Sequence, residues 1–298
     1  MLFRSDRIIL ADQNTNPVDL TELNSVIEVK TVGFDAQVHS LDGRQDLIHI
    51  VGMRPSVTRA KNVALKWAAG EGLLFLDDDV ELDPGSIGEV ARYLMSHPEV
   101  SFIGGRETVV PAVLARSAFR TALVRAASLV LPAEKDYSID GHYVGRVKRN
   151  SFFLCDYSLK ASHPVRIDTA RGCVWATRRV RVEALGGFDE FYQGTALREE
   201  SDLHLRLQDR FGPAYYLPQV HVRHYRQLGG CNNLKQSLAV LESKLTNEAY
   251  FQQKHFSQVS KFWFLIRLLP LVLSNLKSTY GYSLLLLIRY TWFFKKSA

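Results

Sequence analysis

Between Ile8 and Glu107, short apolar runs alternate with segments of helical period, and that alternation limits the chain to a few folds. "RIILADQN" carries a strand over Ile8 to Ala11, and "SVIEVKTVG", "DLIHIVGM", "GLLFL" and "VSFIGGRE" are four more of strand length. Between them, "SVTRAKNVALKWAAGEG" sets Val57, Ala60, Ala64, Trp67 and Ala68 near helical spacing and stops on glycine, and "SIGEVARYLMSHP" follows Pro84 as a second helix. Strands alternating with helices predict an α/β domain, a mostly parallel sheet flanked by helices. Val109 to Leu131 reads as an amphipathic helix with Arg116, Arg120 and Arg125 and no acid, and residues 134–170 as polar loops and short strands. Order resumes with a strand at Cys173 to Ala176, a helix from Thr177, the helix "REESDLHLRLQDRFG" and the strand "AYYLPQVHVRHY". The expected division is a domain over 1–235, with halves 1–107 and 108–235, and a separate C-terminal region over 236–298.

That C-terminal region is chemically distinct. The chain has a net charge of +6, and no Asp or Glu follows Glu248, while Lys254, Lys261, Arg267, Lys277, Arg289, Lys295 and Lys296 do. These cations punctuate "FWFLIRLLPLVL" and "YSLLLLIRYTWFF", runs shorter than the roughly 20 residues that span a bilayer. Greasy segments with aromatics and interspersed Lys/Arg fit helices lying on an anionic membrane surface. The other reading is a helical pair packed on the main domain or on a second subunit. Nucleic acid is the weaker partner, because no basic-aromatic pattern of an RNA-binding sheet is present. Three separated cysteines argue against a disulfide scaffold or zinc ribbon and suit a reducing compartment. The N-terminus lacks the apolar stretch of a signal peptide, so the expected location is cytoplasmic, on the inner face of the membrane.

Acidic residues collect at predicted strand ends. Asp12 closes one strand, and Asp77, Asp78 and Asp79 follow Leu76 without a spacer. Ligands of open α/β sheets sit beyond such ends. Crowded carboxylates are costly unless a cation neutralises them, and oxygen donors suit Mg²⁺ or Mn²⁺, so the triplet reads as a metal platform or, alternatively, as a solvated turn before Pro84. Glu199, Glu200 and Asp202 open a helix, where the dipole also favours anions in a capping role. His221 and His224 lie on the last strand and read as ligands or as packing.

Taken in order, "RIILADQN", "SVTRAKN", "LLFLDDDVELDPG", "RGCVWATRR", "EALGGFDE", "REESDLHLRL" and "LPQVHVRH" resemble the family 2 glycosyltransferases and their GT-A nucleotide-sugar-binding fold. The resemblance spans about Ile8 to His224, and it implies an inverting transfer from a nucleotide-diphosphate sugar to a glycan or lipid-linked acceptor. It assigns Asp12 to the nucleobase, Arg59 and Asn62 to the diphosphate and ribose, and Asp77, Asp79 and His224 to a divalent metal with Asp78 nearby. Glu200 takes the place of the catalytic base, with Glu199 as its orienter or substitute, and Gly172, Cys173, Trp175 and Asp189 fall on the acceptor side. Trp175 reads equally as core. The family has a strand, loop and helix ahead of the "RIILADQN" segment, and only seven residues precede Ile8 here, so that unit is expected to be missing. A sugar nucleotidyltransferase is a weaker alternative, since no Gly-rich, Arg/Lys-bearing loop follows the first strand. A non-catalytic, transferase-like membrane subunit is the other.

Overall fold

The computed structural model describes residues 7–11, 26–31, 34–41, 45–51, 56–110, 134–147, 153–225 and 238–256. Four strands come first: β1 (Arg7–Ala11), β2 (Val26–Thr31), β3 (Phe34–Leu41) and β4 (Gln45–Val51). They form a sheet of their own in the order β1-β4-β3-β2, parallel between β1 and β4 and antiparallel elsewhere. Next come α1 (Val57–Trp67), β5 (Gly72–Leu76), β6 (Val80–Leu82), α2 (Ser86–Ser96) and β7 (Phe102–Val109). Ser56 caps α1 by accepting the Arg59 amide, satisfying one donor that a helix start leaves open.

Residues 134–167 hold short pieces: a 3₁₀ turn at Lys135–Tyr137, β8 (Ser138–Ile139), β9 (His142–Tyr143), β10 (Gly145–Val147), β11 (Phe153–Cys155) and β12 (Val165–Ile167). Then follow β13 (Val174–Arg178), α3 (Arg179–Ala184), α4 (Glu199–Phe211), β14 (Ala214–His224) and α5 (Leu238–His255). The main sheet runs β12-β14-β7-β13-β5, with β6 pairing the far part of β14. Alternation divides its side chains between two layers. Phe102, Trp175 and Tyr216 pack with Leu203 and Leu207 of α4, and Ile103, Val174, Ala176 and Val222 pack with Val90 and Leu94 of α2. The result is a mixed α/β fold with a central sheet between helices.

The expected parallel dominance needs correcting, although the α/β class stands. Among the described residues of this sheet, only β14 and β7 pair in parallel; β13 is antiparallel to both β5 and β7, and β12 and β6 are antiparallel to β14. A parallel strand requires the chain to cross back to the other end of the sheet. Here β13 enters at the carboxyl end of β5, where Val174 pairs with Leu76, so it must run the opposite way.

The expected boundary at 235 precedes α5. This helix is held to the preceding body. Arg198 Nε meets Glu248 Oε2 at 2.8 Å, Asn247 Nδ2 donates to the Gln193 carbonyl at 2.9 Å, and His255 Nε2 meets Asp202 Oδ1 at 2.8 Å. No helix among the described residues is long and apolar enough to cross a membrane. The two greasy basic runs, the amphipathic segment after Val110 and Asp12 lie outside the described residues.

Candidate active site

Strand register brings the sequence's acidic clusters together. The Val174–Leu76 pair sets Cys173 beside the end of β5, and the His224–Val80 pair sets the last histidine beside Asp79. The Asp79 carbonyl accepts from the Tyr225 amide at 2.8 Å and fixes that junction. One donor atom each of Asp77, Cys173 and His224 lies within 4.8 Å of the others. His224 Nε2 is 2.9 Å from Asp79 Oδ1, and its Nδ1 is 2.6 Å from Glu107 Oε1. Asp78 is exposed and is not among those converging atoms.

The second cluster sits at the start of α4. Lys61 of α1 places its Nζ 2.7 Å from Glu199 Oε1 and 2.6 Å from Glu200 Oε1. The Glu199 side chain is 6% exposed, its Oε2 has no hydrogen-bond partner among the described residues, and the Glu200 side chain is 22% exposed. Gly172 explains how Glu200 fits, because a Cβ there would stand 2.3 Å from Glu200 Oε2. Gly172 therefore makes room for the carboxylate, which is a narrower part than lining an acceptor.

Electrostatics join the two clusters. Burial first, then the charge of Glu200, pushes the Asp77 carboxyl up to about 6, with Lys61 and His224 opposing. Asp77 nonetheless keeps contact with solvent, being exposed as a residue. Burial also pushes Glu199 up to about 8; Lys61 opposes, and Glu200 and Asp77 add to the rise. Burial lowers Lys61, but its two glutamates more than offset that and hold the ammonium above the usual lysine range. One cation thus faces three carboxylates, and the most buried of them retains its proton near neutral pH.

These residues fit a divalent ion. Asp77, just past the end of β5, converges with His224 of β14, Asp79 Oδ1 lies 2.9 Å from His224 Nε2, and an added cation would oppose the burial and the carboxylate charge that raise Asp77. Cys173 fits poorly. It is 1% exposed, and burial with the nearby Glu107 and Asp77 charges drives its thiol far upward, so it stays a protonated, soft neighbour.

Other expected site residues take structural parts. Asn62 spends its amide within the protein: Oδ1 accepts from Phe188 N at 2.8 Å, while Nδ2 donates to Phe188 O at 2.9 Å and Glu190 Oε1 at 3.0 Å. That leaves no donor for a ribose. Trp175 is 1% exposed and stacks on Phe75 with ring centroids 4.1 Å apart, so it is core and not an acceptor wall. Asp189 anchors α5, accepting from Tyr250 Oη at 2.8 Å and Lys254 Nζ at 2.7 Å. Arg59 is exposed on the first turn of α1, and Lys61, two residues on, is the cation that reaches the carboxylates. His221 belongs to a different group, with Nδ1 2.6 Å from Asp83 Oδ2 and Nε2 2.9 Å from Thr108 Oγ1.

Sequence reasoning passed over Lys61, Glu107 and Arg171. Arg171 Nε stands 3.1 Å from Glu107 Oε2 and completes a chain from Arg171 through Glu107 and His224 to Asp79. The available signal was alternation on "IGGRETV", which puts Glu107 on the face opposite Arg106 and Thr108.

No family model matches the chain, and no curated protein sequence matches it. Among solved structures, it is similar to GalNAc-T7 with UDP, GalNAc and Mn²⁺ at 13% identity and TM-score 0.47, covering 80% of this chain and 47% of that one. It is also similar to the mannosyltransferase PcManGT from Pyrobaculum calidifontis with GDP-Man and Mn²⁺, at 15% identity and TM-score 0.42, covering 83% and 56%. The chain thus spans about half the length of each.

Proposed function

We propose that this protein is an inverting, divalent-metal-dependent glycosyltransferase that moves a sugar from a nucleotide-sugar donor to a hydroxyl of a glycan or lipid-linked acceptor. The observation that carries this reading is the convergence of both acidic clusters: Asp77 lies with Cys173 and His224 within 4.8 Å, and Gly172, next to Cys173, packs against the Glu200 carboxylate. The ordered motifs from "RIILADQN" to "LPQVHVRH" support the same class. Asp77, Asp79 and His224 would hold Mn²⁺ or Mg²⁺, which when bound supplies Lewis-acid stabilisation to a departing diphosphate. Glu200 takes the acceptor proton. The freed oxygen attacks the anomeric carbon from the face opposite the leaving group, the bond to phosphate breaks with its electron pair on the diphosphate, and the configuration inverts. Glu199 holds a proton near neutrality and so suits a donor or orienter better than a base. Lys61 bridges the two glutamates through one ammonium.

Glu200→Gln tests the assignment: donor binding should persist while turnover disappears. Surviving turnover would pass the role of base to Glu199. The pathway is proposed from the basic apolar C-terminal runs: peripheral attachment to the inner membrane face and a part in cell-surface polysaccharide assembly. Transfer of labelled sugar to lipid extracts should fall sharply when residues 257–298 are deleted, and unchanged transfer would count against this placement.

A further inference from the structure

We infer that Glu107 is a positioning residue that fixes the ring of His224 so that Nε2 is the nitrogen that would be offered to a divalent cation. The inference rests on the metal-dependent reading above and extends it to a carboxylate that touches neither substrate nor metal in that reading.

His224 lies against a carboxylate on each side, Asp79 Oδ1 at Nε2 and Glu107 Oε1 at Nδ1. The two carboxylates differ in setting. Asp79 sits in the turn after β5, and its side chain is 20% exposed. Glu107 sits within β7, a strand paired on both sides, and its side chain is 9% exposed. Its backbone amide donates to the Tyr157 carbonyl at 2.9 Å, and its other carboxylate oxygen faces Arg171 Nε at 3.1 Å. Glu107 is therefore held at its backbone amide and at both carboxylate oxygens. An imidazole that ligates through one nitrogen must carry its proton on the other, and a carboxylate at that second nitrogen sets tautomer, ring angle and basicity. Glu107 occupies that place, and Arg171 supplies the charge that makes a buried carboxylate tolerable there.

The test uses the full chain and Mn²⁺ alone, by isothermal titration, with thermal unfolding of each variant recorded without metal. Glu107→Gln should weaken Mn²⁺ binding about 10-fold and Glu107→Ala toward 100-fold, the range seen when a ligand's carboxylate partner is lost. In a His224→Ala background, Glu107→Gln should add less than about 2-fold, since coupled residues lose additivity. Undiminished affinity in Glu107→Gln, or an equal further loss in the His224→Ala background, overturns the positioning role. Wild-type protein that takes up no Mn²⁺ instead overturns the metal reading itself. If the variants unfold, the wild-type chain decides the matter by long-range ¹H–¹⁵N correlation of His224 with saturating Mg²⁺. The expected signature is a protonated Nδ1 and a bare Nε2; a protonated Nε2 contradicts the proposal.

Discussion

The first turn of α4 feeds two charge networks of opposite character. Glu199 and Glu200 point to Lys61 and, with Asp77, leave three carboxylates sharing one ammonium. Asp202, two residues on, has the reverse supply: Arg206 Nε, Lys254 Nζ and His255 Nε2 each lie 2.8 Å from its oxygens. Burial raises Asp202, but these partners overcome it and hold the carboxyl at about 2, whereas burial wins at Glu199 and takes it to about 8. One network is complete and joins α5 to the body. The other is short of positive charge and lies beside Asp77, Cys173 and His224, whose donor atoms converge within 4.8 Å. A surplus of cations marks an anchor, and a deficit marks a place where a ligand's charge belongs.

The contrast sets the size and kind of effect for each variant. Glu200→Gln should reduce turnover by roughly 100- to 10,000-fold with little change in urea-unfolding stability, as for loss of a general base. Asp202→Ala should do the opposite, costing about 3–5 kcal/mol in the same unfolding assay because two cations and a histidine lose a buried partner. A Glu200→Gln that mainly unfolds the protein, or an Asp202→Ala that mainly slows it, would break the distinction.

The pH dependence should separate the networks as well. Glu199 is raised above the ordinary glutamate value of 4.5 to about 8, so the folded state binds the extra proton between those values. Its contribution to stability is present at low pH and fades as pH rises toward 8, and wild-type protein should lose on the order of 3–4 kcal/mol relative to Glu199→Gln between pH 5 and 8. Asp202 is lowered from 3.8 to about 2, so its contribution is full above pH 4 and is lost as pH falls toward 2. That loss should reach about 2 kcal/mol in acid-unfolding curves and vanish in Asp202→Asn. The smallest effect belongs to Arg59→Ala, within about 0.5 kcal/mol in stability, since that side chain is exposed.

Much of this was legible beforehand because it is local. The strand periods of β1, β5, β7 and β14, the helices α1, α2 and α4, and the acidic runs after Leu76 and Arg198 are patterns within a dozen residues. Strand β3 was missed although Phe34, Ala36 and Val38 alternate with Asp35, Gln37 and His39. What sequence does not display is partnership across distance. Lys61 is one cation on an amphipathic helix, and its glutamates lie 138 and 139 positions away. Asn62 and Asp189 carried site-like chemistry, but the "GGFDE" turn and α5 claimed their polar atoms first. The antiparallel entry of β13 depends on where the chain returns to the sheet, which no run of residues encodes, and it is this entry that sets Gly172 and Cys173 beside the two clusters.

Isothermal titration of UDP, GDP and dTDP into the full chain, each with and without Mn²⁺, tests the central claim most directly. The account predicts that one nucleotide binds only when Mn²⁺ is present and that Asp79→Ala abolishes this binding. Binding indifferent to Mn²⁺, or no binding of any nucleotide to the wild-type protein, would contradict it.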